Sequence, residues 1–280
     1  MPELPEVETI VRTLRPSLLG RQFDALRVIR KDIVRPLGAD LGSKALHRTI
    51  VRLLRRGKKI VFEFDDAARF YIHLGMSGRL TLDRPDAAIR PHTHMILQFG
   101  QQELRFVDPR RFGGVFWLGT DQPADSDLGP EPLKMSARQL AARLAKTRRA
   151  IKTALLDQKL LAGLGNIYAD ESLFAAGIDP RTAADKLSRA EISRLNRSIK
   201  AVLNRAIRHR GSTLRDYRDA NGLPGDFQKI HRVYDRAGKP CLVCRTPIER
   251  IVLGGRSTHF CPKCQRNKKA PNVHPEHRKS

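Results

Sequence analysis

Two pairs of cysteines near the carboxyl end constrain this chain more than any other feature. Each pair has Cys-x2-Cys spacing, Cys241 with Cys244 and Cys261 with Cys264, and these are the only four cysteines among 280 residues. Such clustering favours a metal site over disulfides in a reducing compartment, and the spacing is typical of a tetrahedral zinc site. Four thiolates leave no open position for water, so we expect one structural Zn2+ ion.

The segment between the two pairs has the pattern of a β-hairpin. Apolar residues 251–253 precede Gly254 and Gly255, and residues 256–260 follow them. A two-glycine loop is typical of tight hairpins, because both positions need a positive φ. Arg256 is therefore expected at an exposed tip, where its guanidinium could contact phosphate. A zinc ribbon that only stabilises the chain or docks a protein is the alternative.

Basic residues are in large excess. The sequence has 53 Lys and Arg against 29 Asp and Glu, a formal net charge of +24, together with 40% hydrophobic residues. This apolar content excludes disorder throughout the chain and indicates a folded protein with a polyanionic partner. Nucleic acid is the leading partner, and an anionic membrane surface is the alternative, although no basic amphipathic helix with an aromatic face favours it.

Hydrophobic patterning divides the chain into a β-rich first part and a helical second part. Apolar residues from Val7 to Leu18 recur at helical spacing. Capping boxes at Ser136 with Gln139 and Ser188 with Glu191 begin later helices. Six β-like runs lie between these helical parts, at 50–54, 59–64, 69–74, 95–99, 104–107 and 115–118. The pattern predicts an α+β multidomain fold with a two-layer β structure first.

The predicted organisation has no membrane span, because no apolar run is long enough, and the acidic start does not fit a signal peptide. We expect a cytoplasmic protein that needs no partner subunit, and hence a monomer. The predicted ranges are a β domain at 1–120, a linker at 121–135, a helical domain with a mobile loop at 136–225, a zinc finger at 226–264 and a disordered basic tail at 265–280.

The start of the chain offers a nucleophile. Removal of Met1 would leave the secondary amine of Pro2 as the terminus. An α-amino group has a pKa of roughly 7.7–8.0, so more of it is neutral near pH 7 than of a lysine. Such an amine can attack carbon and form an iminium, and Glu3 or Glu6 could move protons beside it. The alternative is that these residues only begin a helix.

Five motifs together resemble the formamidopyrimidine-DNA glycosylase family. They are MPELPEVET at 1–9, HLGMSG at 73–78, DPRRFG at 108–113, GLGNIYADE at 163–171 and the four-cysteine finger. The resemblance implies an N-terminal β-sandwich with an N-terminal helix, then a helical domain with a helix–two-turn–helix motif and a zinc-ribbon hairpin. It also implies a base-excision DNA repair enzyme, a glycosidase and AP lyase acting on duplex DNA with oxidised bases. Leu4, where endonuclease VIII relatives usually have Gly, favours oxidised purines such as 8-oxoguanine and formamidopyrimidines.

Catalytic roles follow from the same resemblance. Pro2 would attack the sugar, Glu3 would manage protons, and Lys58 would assist base loss and β-elimination, with its neighbour Lys59 as the alternative. Arg256 would serve δ-elimination. An oxidised-pyrimidine glycosylase and a noncatalytic zinc-ribbon DNA-binding protein are the alternative functions.

DNA contacts are implied as well. Met76, Arg110 and Phe112 would fill the gap left by a flipped nucleotide, and their pliable, cationic and aromatic side chains suit that task. The residues that would contact the DNA backbone are His92, Arg148, Lys152 and Asn166. The loop at 221–226 would close over the extruded base.

Overall fold

The computed structural model describes residues 2–124, 126–215 and 217–266, which form two compact units. The first, here the sandwich unit, comprises residues through Met135 together with 157–165 and 200–230. The second, here the finger unit, comprises 136–156, 166–199 and the described residues from His231 onward. Apart from Gln265 and Arg266, the tail predicted to be disordered lies outside the described residues.

Helix α1, Leu4–Leu18, confirms the predicted amino-terminal helix. A capping box starts it, in which the Glu3 side chain accepts from the third helical residue and Glu3 N–H donates to Glu6 Oε2 at 2.8 Å. Pro5 is tolerated in the first turn because its missing N–H has no helical partner there. The apolar stripe from Val7 to Leu18 lies in the core of the sandwich unit, which holds the helix against the sheets.

Two sheets form the β structure of the sandwich unit. The strands are β1 Ala25–Val28, β2 Val34–Arg35, β3 Ile50–Arg56, β4 Lys59–Phe64, β5 Arg69–His73, β6 Arg79–Asp83, β7 Thr93–Phe99, β8 Gln102–Val107 and β9 Gly114–Gly119. One sheet has the order β2-β9-β5-β4-β3 and the other β1-β7-β8-β6. Buried aromatic residues fill the core, and Phe62 stacks on Phe70 with ring centroids 4.4 Å apart. All six predicted runs are strands, and the pattern missed β1, β2 and β6.

Helices dominate the first part of the finger unit. The remaining α-helices of the described chain are α2 Leu41–Ala45 in the sandwich unit, α3 Ala137–Leu144, α4 Ile151–Leu156 and α5 Asn166–Ala176 in the finger unit, and α6 Arg189–Arg208, whose residues from Lys200 onward are counted with the sandwich unit. Both predicted capping boxes form, since Ser136 and Ser188 exchange hydrogen bonds with Gln139 and Glu191. Among the described residues, every helix is too short or too polar to cross a membrane.

The predicted hairpin is present. Strands β10, Glu249–Leu253, and β11, Arg256–Phe260, pair antiparallel, with Leu253 opposite Arg256 across Gly254 and Gly255. The fold is thus α+β, with two sheets first, helices next and a cysteine-bearing hairpin last.

Candidate active site and metal centre

Buried carboxylates organise the start of α1. Glu3 and Glu6 are 3% and 2% exposed, and Pro2 is buried beside them. Glu6 joins two distant parts of the sandwich unit, because one oxygen accepts from Glu3 N–H and the other from Ser212 N–H at 2.7 Å. The sequence predicted only that Glu6 could move protons. Its bond to Ser212 joins residues too far apart in the chain for a local pattern to predict.

The glycines of the GLG motif make room for this start. A Cβ on Gly165 would lie 2.3 Å from Cδ of Glu3, and one on Gly163 would lie 2.9 Å from the Leu4 side chain. Leu4 N–H donates to Gly163 O at 3.0 Å. Since any side chain at these glycines would displace Glu3 or Leu4, the motif is explained by close approach of backbone to the amino terminus.

Lys58 lies in the two-residue turn between β3 and β4, and this turn also reaches Gly163. A Cβ on Gly57 would be 3.6 Å from Gly163 N, so the turn and the amino terminus meet at one glycine. Glu131 fixes the turn by accepting from Gly57 N–H at 2.7 Å and pairing with Arg55 at 2.6 Å. The sandwich unit therefore brings Glu3, Leu4 and Gly57, which precedes Lys58, to the segment from Gly163 to Gly165. Glu131 was missed because it lies in the range predicted as a linker.

The neighbouring Lys59 is held elsewhere. Its ammonium pairs with Asp127 at 2.7 Å and lies 4.5 Å from the centre of the Tyr71 ring. Burial alone would raise the pKa of Asp127, but the hydrogen bond and charge of Lys59 lower it overall. Lys59 is thus engaged by Asp127, and the choice of Lys58 over Lys59 stays a prediction.

His73 begins the HLGMSG motif and faces this lysine pair. Burial lowers its pKa, the charges of Lys58 and Lys59 lower it further, and Asp127 opposes them. Its Nδ1 receives a hydrogen bond from Gly75 N–H at 3.2 Å, which requires an unprotonated nitrogen. His73 is therefore neutral near pH 7, and its ring helps to hold the backbone that leads to Met76.

Two loops of the sandwich unit expose the side chains predicted to fill the DNA gap. The Met76 loop is 74–78 and the Phe112 loop is 108–113. Met76 is 38% exposed and Phe112 is 54% exposed, both high for large apolar groups. The guanidinium of Arg110 lies over the Phe112 ring at 5.0 Å. The structure thus brings these three side chains to adjoining loops and leaves them open to a partner.

A buried carboxylate joins the two loops. Asp108, 1% exposed, accepts from the Ser77 hydroxyl at 2.6 Å and from Gly113 N–H at 2.7 Å. A Cβ on Gly75 would lie 2.4 Å from the Phe112 carbonyl carbon, so the loops touch backbone to backbone. Asp108 lies in the DPRRFG motif and Ser77 in the HLGMSG motif, but no role was predicted for either residue. Their position as polar residues beside turn glycines was the signal that could have identified them.

His92 precedes β7 and is exposed, with a φ of +64°. Its carbonyl accepts from Asp108 N–H at 3.0 Å, so the backbone of His92 adjoins the Phe112 loop. The exposed ring is consistent with a contact to a partner, and the predicted DNA contact stays a prediction.

The loop predicted to cover an extruded base is built on Asp219. This carboxylate is fully buried, accepts from the N–H groups of Asn221 and Leu223 at 3.0 and 2.9 Å, and pairs with Arg210. Leu223 itself is 49% exposed. The turn therefore has a fixed base and an exposed apolar edge.

Three further predicted DNA-contact residues lie in the finger unit. Arg148 is exposed just before α4. Lys152 is fully buried, and its ammonium pairs with Asp170 at 2.6 Å and donates to Ser257 O at 2.7 Å. Asn166 begins α5, and its amide lies 3.4 Å from Ser257 Oγ. Exposure thus suits Arg148 for a phosphate contact, whereas the amine of Lys152 is engaged inside the unit.

The four cysteines meet at one point. All four sulfurs lie within 4.8 Å of one another, with Cys241 and Cys264 at 3.9 Å and Cys244 and Cys261 at 3.4 Å. A tetrahedral zinc ion with bonds of about 2.3 Å separates its sulfur ligands by about 3.8 Å. The cluster therefore fits the ion expected from the sequence, held by four thiolates in a structural role.

Helix α5 anchors the finger through consecutive acids. Asp170 accepts from His259 N–H at 2.9 Å, and Glu171 accepts from the backbone N–H groups of residues 232–234. Burial raises the pKa of Glu171, although these N–H donors act against that rise. The ADE end of the GLGNIYADE motif is thus explained by support of the finger. Arg256, exposed at the hairpin turn, is carried by this support.

Three family models match successive parts of the chain. Residues 1–115 match the formamidopyrimidine-DNA glycosylase N-terminal domain, 128–218 match its H2TH domain, and 238–267 match the zinc finger found in FPG and IleRS.

Individual relatives and solved structures give the same result. Formamidopyrimidine-DNA glycosylase of Methylococcus capsulatus is 42% identical, and that of Laribacter hongkongensis 45%, each over 95% of this chain and 100% of the relative. The Lactococcus lactis Fpg complex with abasic-site DNA matches with a TM-score of 0.88 and 36% identity, covering 94% of this chain and 99% of that one. The MutM (Fpg) protein of Thermus thermophilus matches with a TM-score of 0.85 and 41% identity, covering 94% and 98%. The chain therefore belongs to the formamidopyrimidine-DNA glycosylase family.

Proposed function

We propose that this chain excises oxidised purines, 8-oxoguanine and formamidopyrimidines, from duplex DNA and then cleaves the strand at the resulting site. It is a bifunctional DNA glycosylase and AP lyase of base-excision repair, as its family is. The observation that supports the residue assignment is the buried start of α1: Glu3 and Leu4 lie against Gly165 and Gly163, and Gly57, the neighbour of Lys58, lies near Gly163. The predicted domain ranges, a monomeric state and a cytoplasmic, nucleoid-associated location are part of the proposal.

The amine of Pro2, free once Met1 is removed, attacks C1′ of the flipped nucleotide. The new N–C1′ bond replaces the bond to the base, which leaves with that electron pair and gains a proton. The sugar ring opens as O4′ is protonated, and the nitrogen lone pair forms an iminium. Extrusion of the nucleotide must come first, because C1′ is out of reach in the stacked duplex.

Strand cleavage follows from the same intermediate. An iminium acidifies the C2′ hydrogen, and loss of that proton expels the 3′ phosphate by β-elimination. A second elimination, δ, expels the 5′ phosphate. Glu3 carries the proton to O4′, Lys58 assists base loss and the first elimination, and Arg256 assists the second.

Exposed side chains of both units hold the DNA. Met76 and Phe112 occupy the space left by the nucleotide, and Arg110 pairs with the orphaned cytosine. Arg148, Asn166 and His92 contact backbone phosphates, so binding weakens steeply with salt. Relatives are known in complexes with Fapy-dG DNA and with abasic-site DNA, which supports this class of substrate.

Borohydride trapping tests the nucleophile, because it reduces an iminium to a stable covalent adduct. The full chain should be trapped on a duplex with 8-oxoguanine opposite cytosine, and Pro2→Gly should lose most of the adduct. Equal trapping of Pro2→Gly, which keeps a primary terminal amine, would show that the proline ring is not required. An intact mass that still includes Met1 would show that another amine reacts. Faster cleavage of thymine glycol than of 8-oxoguanine would instead favour the oxidised-pyrimidine function, and absence of any adduct the noncatalytic one.

Substitution of the two adjacent lysines tests the role of Lys58. Lys58→Ala should lower excision by roughly 10²-fold or more while DNA binding falls only slightly, as expected for loss of a general acid–base group. Lys59→Ala is the matched control, since its amine is held by Asp127. The assignment to Lys58 is wrong if Lys59→Ala causes the larger loss of excision.

A further inference from the structure

Strand β11 pairs with β10 along one edge, and its other edge is not paired with a strand among the described residues. In the hairpin, Leu253 and Arg256 are the pair that closes the turn. The backbone N–H and C=O groups of alternate β11 residues, beginning with Arg256, therefore point toward β10. Ser257 and His259 therefore point their backbone groups to the other edge. Among the described residues the sheet has two strands only. Unpaired groups at a buried edge are costly, and a two-stranded hairpin is marginal by itself.

An ion pair occupies the place of a third strand. Lys152 Nζ donates to Ser257 O at 2.7 Å, and Asp170 accepts from His259 N–H at 2.9 Å. The two side chains pair with each other at 2.6 Å, and both are fully buried. One donor and one acceptor thus face β11 just as a neighbouring strand would present them. Asn166 adds a contact to Ser257 Oγ at 3.4 Å.

We propose that the Lys152–Asp170 pair is a strand surrogate that fixes the register of β11 and thereby aims Arg256 at the cleaved strand. Lys152 is on this view a positioning residue that acts through Ser257, the neighbour of Arg256, and not a phosphate contact. The inference rests on the proposed function, because it takes the δ-elimination role of Arg256 from it.

Burial and charge favour this role over a direct contact with phosphate. For the ammonium to reach DNA it would have to leave Asp170, whose carboxylate would then be buried without a cation. A displacement of about 1 Å at a catalytic group can cost roughly 10²-fold in rate, so a small shift of β11 suffices to weaken the step that Arg256 serves. Base excision depends on Pro2 and is expected to change little.

The experiment measures β and δ products from an abasic-site duplex, with borohydride trapping and zinc content on the same samples. Lys152→Met should lower the δ fraction by roughly tenfold and leave trapping within about twofold. Arg256→Ala should give a similar loss, and the double variant should lose no more than Arg256→Ala alone, because both act on one step. Lys186→Ala, an exposed lysine of the same unit, is the matched control.

Salt dependence separates the two roles of Lys152. A phosphate contact would lower the salt slope of binding by about 1 when removed, whereas a positioning residue leaves the slope unchanged. A lowered slope, or additive losses in the double variant, would overturn the inference. Faster amide exchange at His259 in Lys152→Met would support it independently of any activity.

A second variant separates a loss of folding from a loss of function. If Lys152→Met loses zinc, the apolar pair Lys152→Met with Asp170→Leu replaces it, since buried ion pairs tolerate such exchange. That variant should keep zinc and still lose δ product, and loss of zinc from both variants would make the pair a folding requirement and overturn the inference. Failure of the proposed function would appear in the parent, as absence of a trapped adduct.

Discussion

The Met76 and Phe112 loops and the finger hairpin both expose side chains proposed to contact DNA, yet they are held in different ways. The loops lie on a unit with a large apolar core, and one carboxylate, Asp108, joins them through short hydrogen bonds. Among the described residues, the apolar cluster around the cysteines is small, with Phe174, Val233 and Ile248 packed beside them. Four thiolates and a buried ion pair therefore stabilise the finger in place of a larger apolar core.

The difference shows what each exposed side chain depends on. A loop on a packed sheet needs only local hydrogen bonds to stay in register, because the sheet beneath is already stable. A hairpin without its own core needs metal ligands and fixed partners at its edge. Damage to one region should therefore leave the other intact.

Zinc removal should give the largest effect. Chelation, or Cys241→Ser, should unfold the hairpin and abolish DNA binding, since structural zinc contributes on the order of 10 kcal/mol to such sites. Trp117, the single tryptophan, lies in β9 of the sandwich unit and should keep its fluorescence. A large shift of that emission on chelation would show that the sandwich unit also depends on zinc.

Loss of the loop carboxylate should come next. Asp108→Ala leaves the Ser77 hydroxyl and Gly113 N–H without their acceptor, so the free energy of unfolding should fall by about 4 kcal/mol, measured by urea denaturation. Zinc content should not change. Asp121→Ala, at an exposed carboxylate, is the control and should change stability by less than about 0.5 kcal/mol.

Glycine substitution should have a smaller effect and tests the close approach of the loops. Gly75 and Gly100 share a positive φ, +60° and +55°, but only Gly75 would place a Cβ 2.4 Å from Phe112. Both alanine variants carry the backbone cost of about 1–2 kcal/mol, and Gly75→Ala should lose about 2 kcal/mol more. Equal losses in thermal unfolding would mean that the loops do not touch.

The smallest expected effect is electrostatic. Lys58→Ala should raise the pKa of His73, because the Lys58 ammonium is one of the charges that lower it. Lys58→Arg keeps the charge and should leave this pKa nearly unchanged, as followed by NMR titration of the ring. In the finger unit, burial lowers the pKa of His231 to about 4, and that value should not respond to either variant.

The sequence predicted features that depend on local pattern. Strand alternation, capping boxes, the hairpin and the cysteine spacing were all confirmed, because each is encoded within a few residues. Strand β2 was missed because it has two residues, and β1 because its residues are all partly or fully exposed. Their pairing partners β9 and β7 are distant in sequence.

Tertiary roles were harder to predict at the site. The motif match singled out Lys58 and Arg256, but their supports, Glu131 and Asp170, act across long separations. Lys152 shows the limit most clearly, since nothing in its neighbours reveals that its amine is fully buried. Its predicted phosphate contact stays a prediction, and burial motivates the different role proposed above.

The hydrogen bonds of the amino terminus have a consequence for synthesis. Pro2 is synthesised well before the partners of its neighbours, since Glu3 and Leu4 pack against Gly165 and Gly163, and Glu6 bonds to Ser212. The proposed reactive end is therefore organised only after the residues up to Ser212 have been made. If Pro2 is the nucleophile, excision can begin only after these partners have been made and have folded.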